Sequence, residues 1–205
     1  MLLISEGPDD MDCIFKHPVP GEERWKLTMD LANIVKRIPD YSCFLTVDEL
    51  DSSTAQLAKD FPDRVEVSCV GHSRQGSPIQ LIKIGHGSKN ALVFACPHPN
   101  EPIGSLTVDF LTRELASNPQ LEKELDYTWY FIKCIDIDGS RMNEGWFKGP
   151  FGITNYIHHY FRPAFRDQVE WTFPVTYKKL HFNSPIPETE VLMELIDTLH
   201  PEFMF

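Results

Sequence analysis

Apolar and polar positions along this chain follow two rhythms, and the points where each rhythm stops mark its elements. From residue 22 to 38, Trp25, Leu27, Met29, Leu31, Ile34, Val35 and Ile38 include three- and four-residue spacings. That pattern predicts an amphipathic helix closed by Pro39. A second helix is expected over residues 47–59, with Asp48 and Glu49 at its positive end and Phe61-Pro62-Asp63 breaking it. Alternation then takes over. Val65, Val67 and Cys69, and later Ile79, Leu81 and Ile84, flank a Gly- and Pro-containing loop over residues 71–78, as in a hairpin. The uniformly apolar run 91–96 predicts a strand covered on both faces. A helix should follow from Ile103, with Leu106, Phe110, Leu111 and Leu115 on one face, and then an aromatic, β-branched strand over residues 127–135. Residues 136–185 hold neither period, and a stretch that long without structure is expected to be functional or to carry short elements. Pro187 and Glu188 open a last helix with Val191, Leu192, Leu195, Ile196 and Leu199 inward. Residues 202–205 read as the start of a further strand. This order predicts one α/β domain, residues 1–205, with 1–43 as a helical extension. Its sheet should be mixed and mainly parallel, with helices on both faces.

Composition narrows the function classes. Acids exceed bases by 30 to 19, a net charge of −11, which disfavours binding to nucleic-acid phosphates. No apolar run approaches the roughly 18 residues that span a bilayer, and the first residues lack the basic start and long apolar core of a signal peptide. A cytoplasmic location with no membrane or nucleic-acid partner is therefore expected, with homo-oligomerisation left open. The five cysteines include no C-x-x-C pair and mostly sit in apolar strands, which predicts buried, inert thiols.

Chemistry concentrates at His98-Pro99-Asn100-Glu101, between the end of the buried strand and the next helix. Ligands of open α/β sheets collect there. An imidazole and a carboxylate three residues apart on a stiff turn can address one cation, and zinc accepts both ligand types. The alternative is a solvated loop histidine beside a glutamate favoured by the helix dipole.

Several segments in order resemble the zinc carboxypeptidase family: Gly71-His72-Ser73-Arg74-Gln75-Gly76-Ser77-Pro78-Ile79, His98-Pro99-Asn100-Glu101, Asp136-Ile137-Asp138-Gly139, Gln168-Val169-Glu170-Trp171-Thr172-Phe173-Pro174 and Pro187-Glu188-Thr189-Glu190. The resemblance implies an N-terminal part of a catalytic domain in which His98 and Glu101 are two of three zinc ligands. It implies a third ligand and a catalytic glutamate beyond Phe205, so that the chain by itself is expected to be truncated and inactive. It also implies an arginine that stabilises the oxyanion. Arg141, Arg162 and Arg166 all lie in the irregular stretch, and Arg141, closest after Asp138-Gly139, is the first choice, against the alternative of a loop arginine bonded to Asp136 or Asp138. Where the family grips a substrate carboxylate with Asn-Arg-Asn, this chain has Glu170-Trp171-Thr172. Losing that planar clamp predicts atypical specificity. Glu170 then either holds a cationic substrate group or pairs with a nearby arginine. The expected substrate is a peptide or an N-acyl amino acid. The competing readings are an N-acyl amino acid deacylase, or a binding or scaffold module with a vestigial site.

Overall fold

The computed structural model describes residues 31–205. Most of the helix expected over residues 22–38 lies outside them. Its described end is α1 (Leu31–Val35). The second helix forms as α2 (Val47–Asp60), and its start is locked reciprocally. The Thr46 hydroxyl accepts the Glu49 N–H, while the Glu49 carboxylate accepts the Thr46 N–H at 2.8 Å. The hairpin follows as β1 (Val65–His72) and β2 (Pro78–Ile84), paired antiparallel. Next come β3 (Lys89–Phe94), α3 (Ile103–Ser117), α4 (Pro119–Leu125) and β4 (Tyr127–Ile132).

Residues 136–185 are better ordered than their text suggests. They form α5 (Ile137–Phe147), α6 (Ile153–His159), two single 3-10 turns (Phe165–Asp167 and Val169–Trp171), and the hairpin β5 (Val175–Tyr177) with β6 (Leu180–Phe182). The reason α5 escapes a hydrophobic reading is chemical: several of its buried positions are polar. Asp138 accepts from the Ser73 hydroxyl at 2.8 Å and the Gln75 N–H at 2.9 Å. Asn143, fully buried, donates to the Gly139 and Phe161 carbonyls and accepts the Phe161 N–H. The Asp136 side chain caps the helix by accepting the Gly139 N–H at 3.0 Å. Directional bonds replace the apolar stripe. α7 (Pro187–Leu199) matches the sequence reading, and β7 (Phe203–Met204) follows it.

Among the described residues the main sheet runs β1-β2-β4-β3-β7. β2 and β4 pair antiparallel, whereas β4–β3 and β3–β7 are parallel, so the sheet is evenly mixed rather than mainly parallel. Strand alternation sorts its side chains onto two faces. Leu92, Ile132, Ile79 and Leu81 join Val191, Leu192 and Leu195 of α7 in one cluster. Val93, Phe131, Ile82 and Ile84 join Val108 and Leu115 of α3 in the other. Helices thus cover both faces, and burying a side chain such as Leu92 contributes about 1.5–3 kcal/mol. The turn carrying His98 leaves the sheet between these two layers. Cys96 and Cys134 are buried as the sequence suggested, but Cys69 is exposed and Cys43 is only half-buried.

Candidate active site

The site grows from the carboxyl end of β3. Beyond Phe94 the backbone stays tied to its neighbour: Ile135 N–H donates to the Ala95 carbonyl at 2.9 Å, and Asp136 N–H to the Cys96 carbonyl at 3.2 Å. Cys96 takes a left-handed conformation (φ 54°), which turns the chain out of the sheet before Pro97. Glu101 N–H then closes a tight turn onto the His98 carbonyl at 2.9 Å, and α3 starts two residues on. Gly139 permits this arrangement. A Cβ there would lie 2.7 Å from both Pro99 and the Asp136 carboxylate, so the start of α5 packs directly beneath the turn.

His98 stands between two carboxylates. Its Nδ1 faces Glu101 Oε2 at 3.1 Å, and its Nε2 faces Glu170 Oε1 at 2.8 Å. A neutral imidazole carries one N–H. If Nε2 donates to Glu170, the Nδ1 lone pair is directed at the side where Glu101 lies. That is the usual arrangement of a metal-binding histidine oriented by a second carboxylate. Glu170 Oε2 is buried without a protein partner. Arg162 completes the cluster, its guanidinium 3.2 Å from Glu101 and 3.5 Å from Glu170. The pair His98 and Glu101 therefore fits two positions of a zinc site. Among the described residues, no group of three or more His, Cys, Asp or Glu is arranged to hold a metal ion.

The other expected site residues fall differently. Arg141 does not join this cluster. Because the chain is helical from Ile137, its guanidinium reaches across to the start of α2 and pairs with Asp48 at 2.7 Å. Nor does it bond Asp136 or Asp138, which are engaged by Arg74 and by the Ser73–Gln75 loop. Glu170 lies in the cluster and has the arginine partner that one of its two readings required. Trp171 is 53% exposed and packs on Phe165, with ring centroids 4.7 Å apart. Arg162, one of the three candidate arginines of the irregular stretch, stands behind Arg141 in the sequence because it lies in no motif, yet it is the one that reaches Glu101 and Glu170.

A second charged group underlies the site. Arg74 binds Asp136 Oδ1 at 3.0 Å, Glu188 Oε1 at 3.2 Å and the Asp167 carbonyl at 2.8 Å. Asp136 and Glu188 are fully buried, and one oxygen of each has no protein partner. Burial pushes the Asp136 carboxyl up to about 6, against the opposing pull of the Gly139 N–H and Arg74. Sequence reading saw Asp136 and Glu188 as family landmarks but not their shared arginine.

Comparison with known proteins agrees with the resemblance. Residues 50–151 match the family model for zinc carboxypeptidase. Carboxypeptidase B from Astacus astacus is 27% identical over 105 residues, covering 49% of this chain and 35% of its own. Among solved structures, carboxypeptidase A from Helicoverpa armigera superposes with a TM-score of 0.58 at 19% identity, over 76% of this chain and 43% of its own. A metallo-carboxypeptidase from Burkholderia cenocepacia gives 0.55 at 19% identity, over 78% and 40%. This chain thus spans about a third of the curated relative's length and less than half of those solved chains.

Proposed function

On this chain of carboxypeptidase-type sequence and fold, we propose that His98 and Glu101 supply two ligands to the zinc of a peptide- or amide-bond hydrolase. The observation that carries this reading is the opposed geometry of His98, with Nδ1 turned to Glu101 and Nε2 to Glu170. When bound, zinc would polarise a substrate carbonyl and lower the pKa of a water to near neutrality. Glu170 holds the imidazole in the tautomer that leaves Nδ1 free to ligate. This is a positioning role, and it takes the place of the cationic-substrate role considered from sequence. Arg162, beside Glu101, is the group that meets negative charge developing on the substrate oxygen, a role Arg141 is too differently paired to fill. With Trp171 where a carboxylate clamp would stand, specificity does not rest on a substrate's terminal carboxylate. Peptides and N-acyl amino acids both remain within the class.

A catalytic zinc takes three protein ligands and a water. Two ligands leave the metal weakly held, so the 205-residue chain should bind zinc reversibly and turn over no substrate unless a further ligand and a base are supplied. A binding module with an incomplete site is the second reading, favoured by the absence of a three-donor group among the described residues. Zinc titration against a chromophoric chelator tests both. The hydrolase reading expects weak stoichiometric zinc that His98→Ala abolishes. Zinc affinity unchanged in His98→Ala would overturn it.

A further inference from the structure

α6 carries an apolar stripe that faces water. Ile153 and Ile157, one helical turn apart, are 71% and 66% exposed, and no residue of this helix is buried. Beside them Trp146, Pro150, Phe151, Gly152, Ile153 and Tyr156 line a concavity of about 300 Å³. Its walls offer carbon and aromatic faces, and its size falls at the lower end of ligand pockets, about 300–1,000 Å³. Exposed apolar surface gathered in a concavity marks a place where something binds.

The pocket is continuous with the His98 turn. The Tyr156 ring meets Trp146 edge-on, with centroids 5.0 Å apart, and its hydroxyl accepts from the Asn100 side chain at 3.4 Å. Asn100 accepts from Arg162 at 3.5 Å, and Arg162 reaches Glu101 at 3.2 Å. One tyrosine and one asparagine thus separate an apolar hollow from the group proposed to meet the substrate carbonyl. A peptide lying extended across the His98 turn carries side chains beyond the scissile amide, and one of these is the part of a substrate placed to enter this hollow.

From this continuity we infer that the Trp146–Tyr156 pocket is a specificity subsite for a bulky apolar side chain of a peptide substrate. The inference rests on the hydrolase reading for the position of the scissile bond. It names a substrate class: peptides with an aromatic or branched aliphatic residue near the bond to be cut but not forming it. Free N-acyl amino acids carry no further side chain beyond the scissile amide and would leave the pocket empty.

The test uses the 205-residue chain and blocked tetrapeptides that differ only by Phe, Leu or Gly at one position, with binding followed by NMR shift changes in the presence of zinc. A Phe or Leu peptide should bind at least tenfold tighter than its Gly counterpart. Ile153→Asp should remove that preference. Because Ile153 is mostly exposed the variant should fold, and Phe151→Ala provides an independent check. Equal binding of all peptides by the unaltered chain overturns the inference. So does a preference that survives both substitutions, or an Ile153→Asp effect that only dissolves a dimer without altering peptide binding. Zinc titration of the same proteins separates the two proposals. Loss of the Phe preference with zinc affinity intact concerns the pocket alone, whereas failure of His98→Ala to change zinc affinity concerns the metal reading alone.

Discussion

α7 and α5 both contribute to one apolar cluster, but different forces hold them. α7 inserts Val191, Leu192 and Leu195 into the apolar cluster, and its sequence shows the period that does so. α5 buries Asp138, Ser140 and Asn143 alongside Ile137, Trp146 and Phe147, and much of its placement comes from hydrogen bonds. Apolar burial is non-directional and tolerates small shifts, whereas a buried amide must meet its partners with the right geometry. The contrast teaches where precision is located. The helix whose first turn supports the His98 turn is the one positioned by directional bonds.

Four substitutions probe the contrast, ordered by expected size. Leu192→Ala opens a cavity at a fully buried site and should lower unfolding free energy by about 2–5 kcal/mol in urea titration, with the whole domain melting together. Asn143→Ala leaves the Phe161 N–H and the Gly139 and Phe161 carbonyls without their side-chain partner, at a cost of about 1–3 kcal/mol. Its signature should be local: amide exchange should quicken in α5 and α6 before it does in β3 and β4. If exchange rises uniformly, the two helices are not held by different means. Thr46→Ala removes one partner of the α2 capping box and should cost about 1 kcal/mol. Arg141→Ala breaks a pair in which Asp48 is 78% exposed, and should change stability by about 0–1 kcal/mol.

The buried carboxyl beneath the turn supplies a pH test. Asp136 titrates near 6 in the folded protein, above its ordinary value of 3.8. Between those values the folded state holds a proton that the unfolded state has released, so this group lowers stability as pH rises from about 4 to about 6. Above pH 6 its contribution is constant. Asp136→Asn should flatten that part of the stability curve while keeping an acceptor for the Gly139 N–H. An unchanged slope in the variant would assign the pH dependence to other groups.

The sequence made α2, the first hairpin, α3 and α7 legible because each puts its apolar residues at the spacing of its own geometry. α4 was missed since only Leu121 of its seven residues is buried, and its start depends on the Asn118 side chain accepting the Leu121 N–H. α5 was missed because polar residues fill its inward positions. At the site, His98 and Glu101 could be read because three residues and a turn connect them. Arg162 and Glu101 are 61 positions apart, and Glu170 and His98 72, so no local pattern encodes those contacts.

Arg74 has a further consequence, in time rather than in space. Its partners Asp136, Asp167 and Glu188 lie 62, 93 and 114 positions away. Contacts of such separation must meet a loop-closure cost that neighbouring strands largely avoid, and so tend to form after local pairing. During synthesis, the hairpin can pair its strands locally and its loop can meet Asp136 and Asp138, but the Arg74 cluster is complete only once Glu188 has emerged. The floor beneath His98 is therefore finished only after the ends of chain segments made long before have been gathered by a single guanidinium.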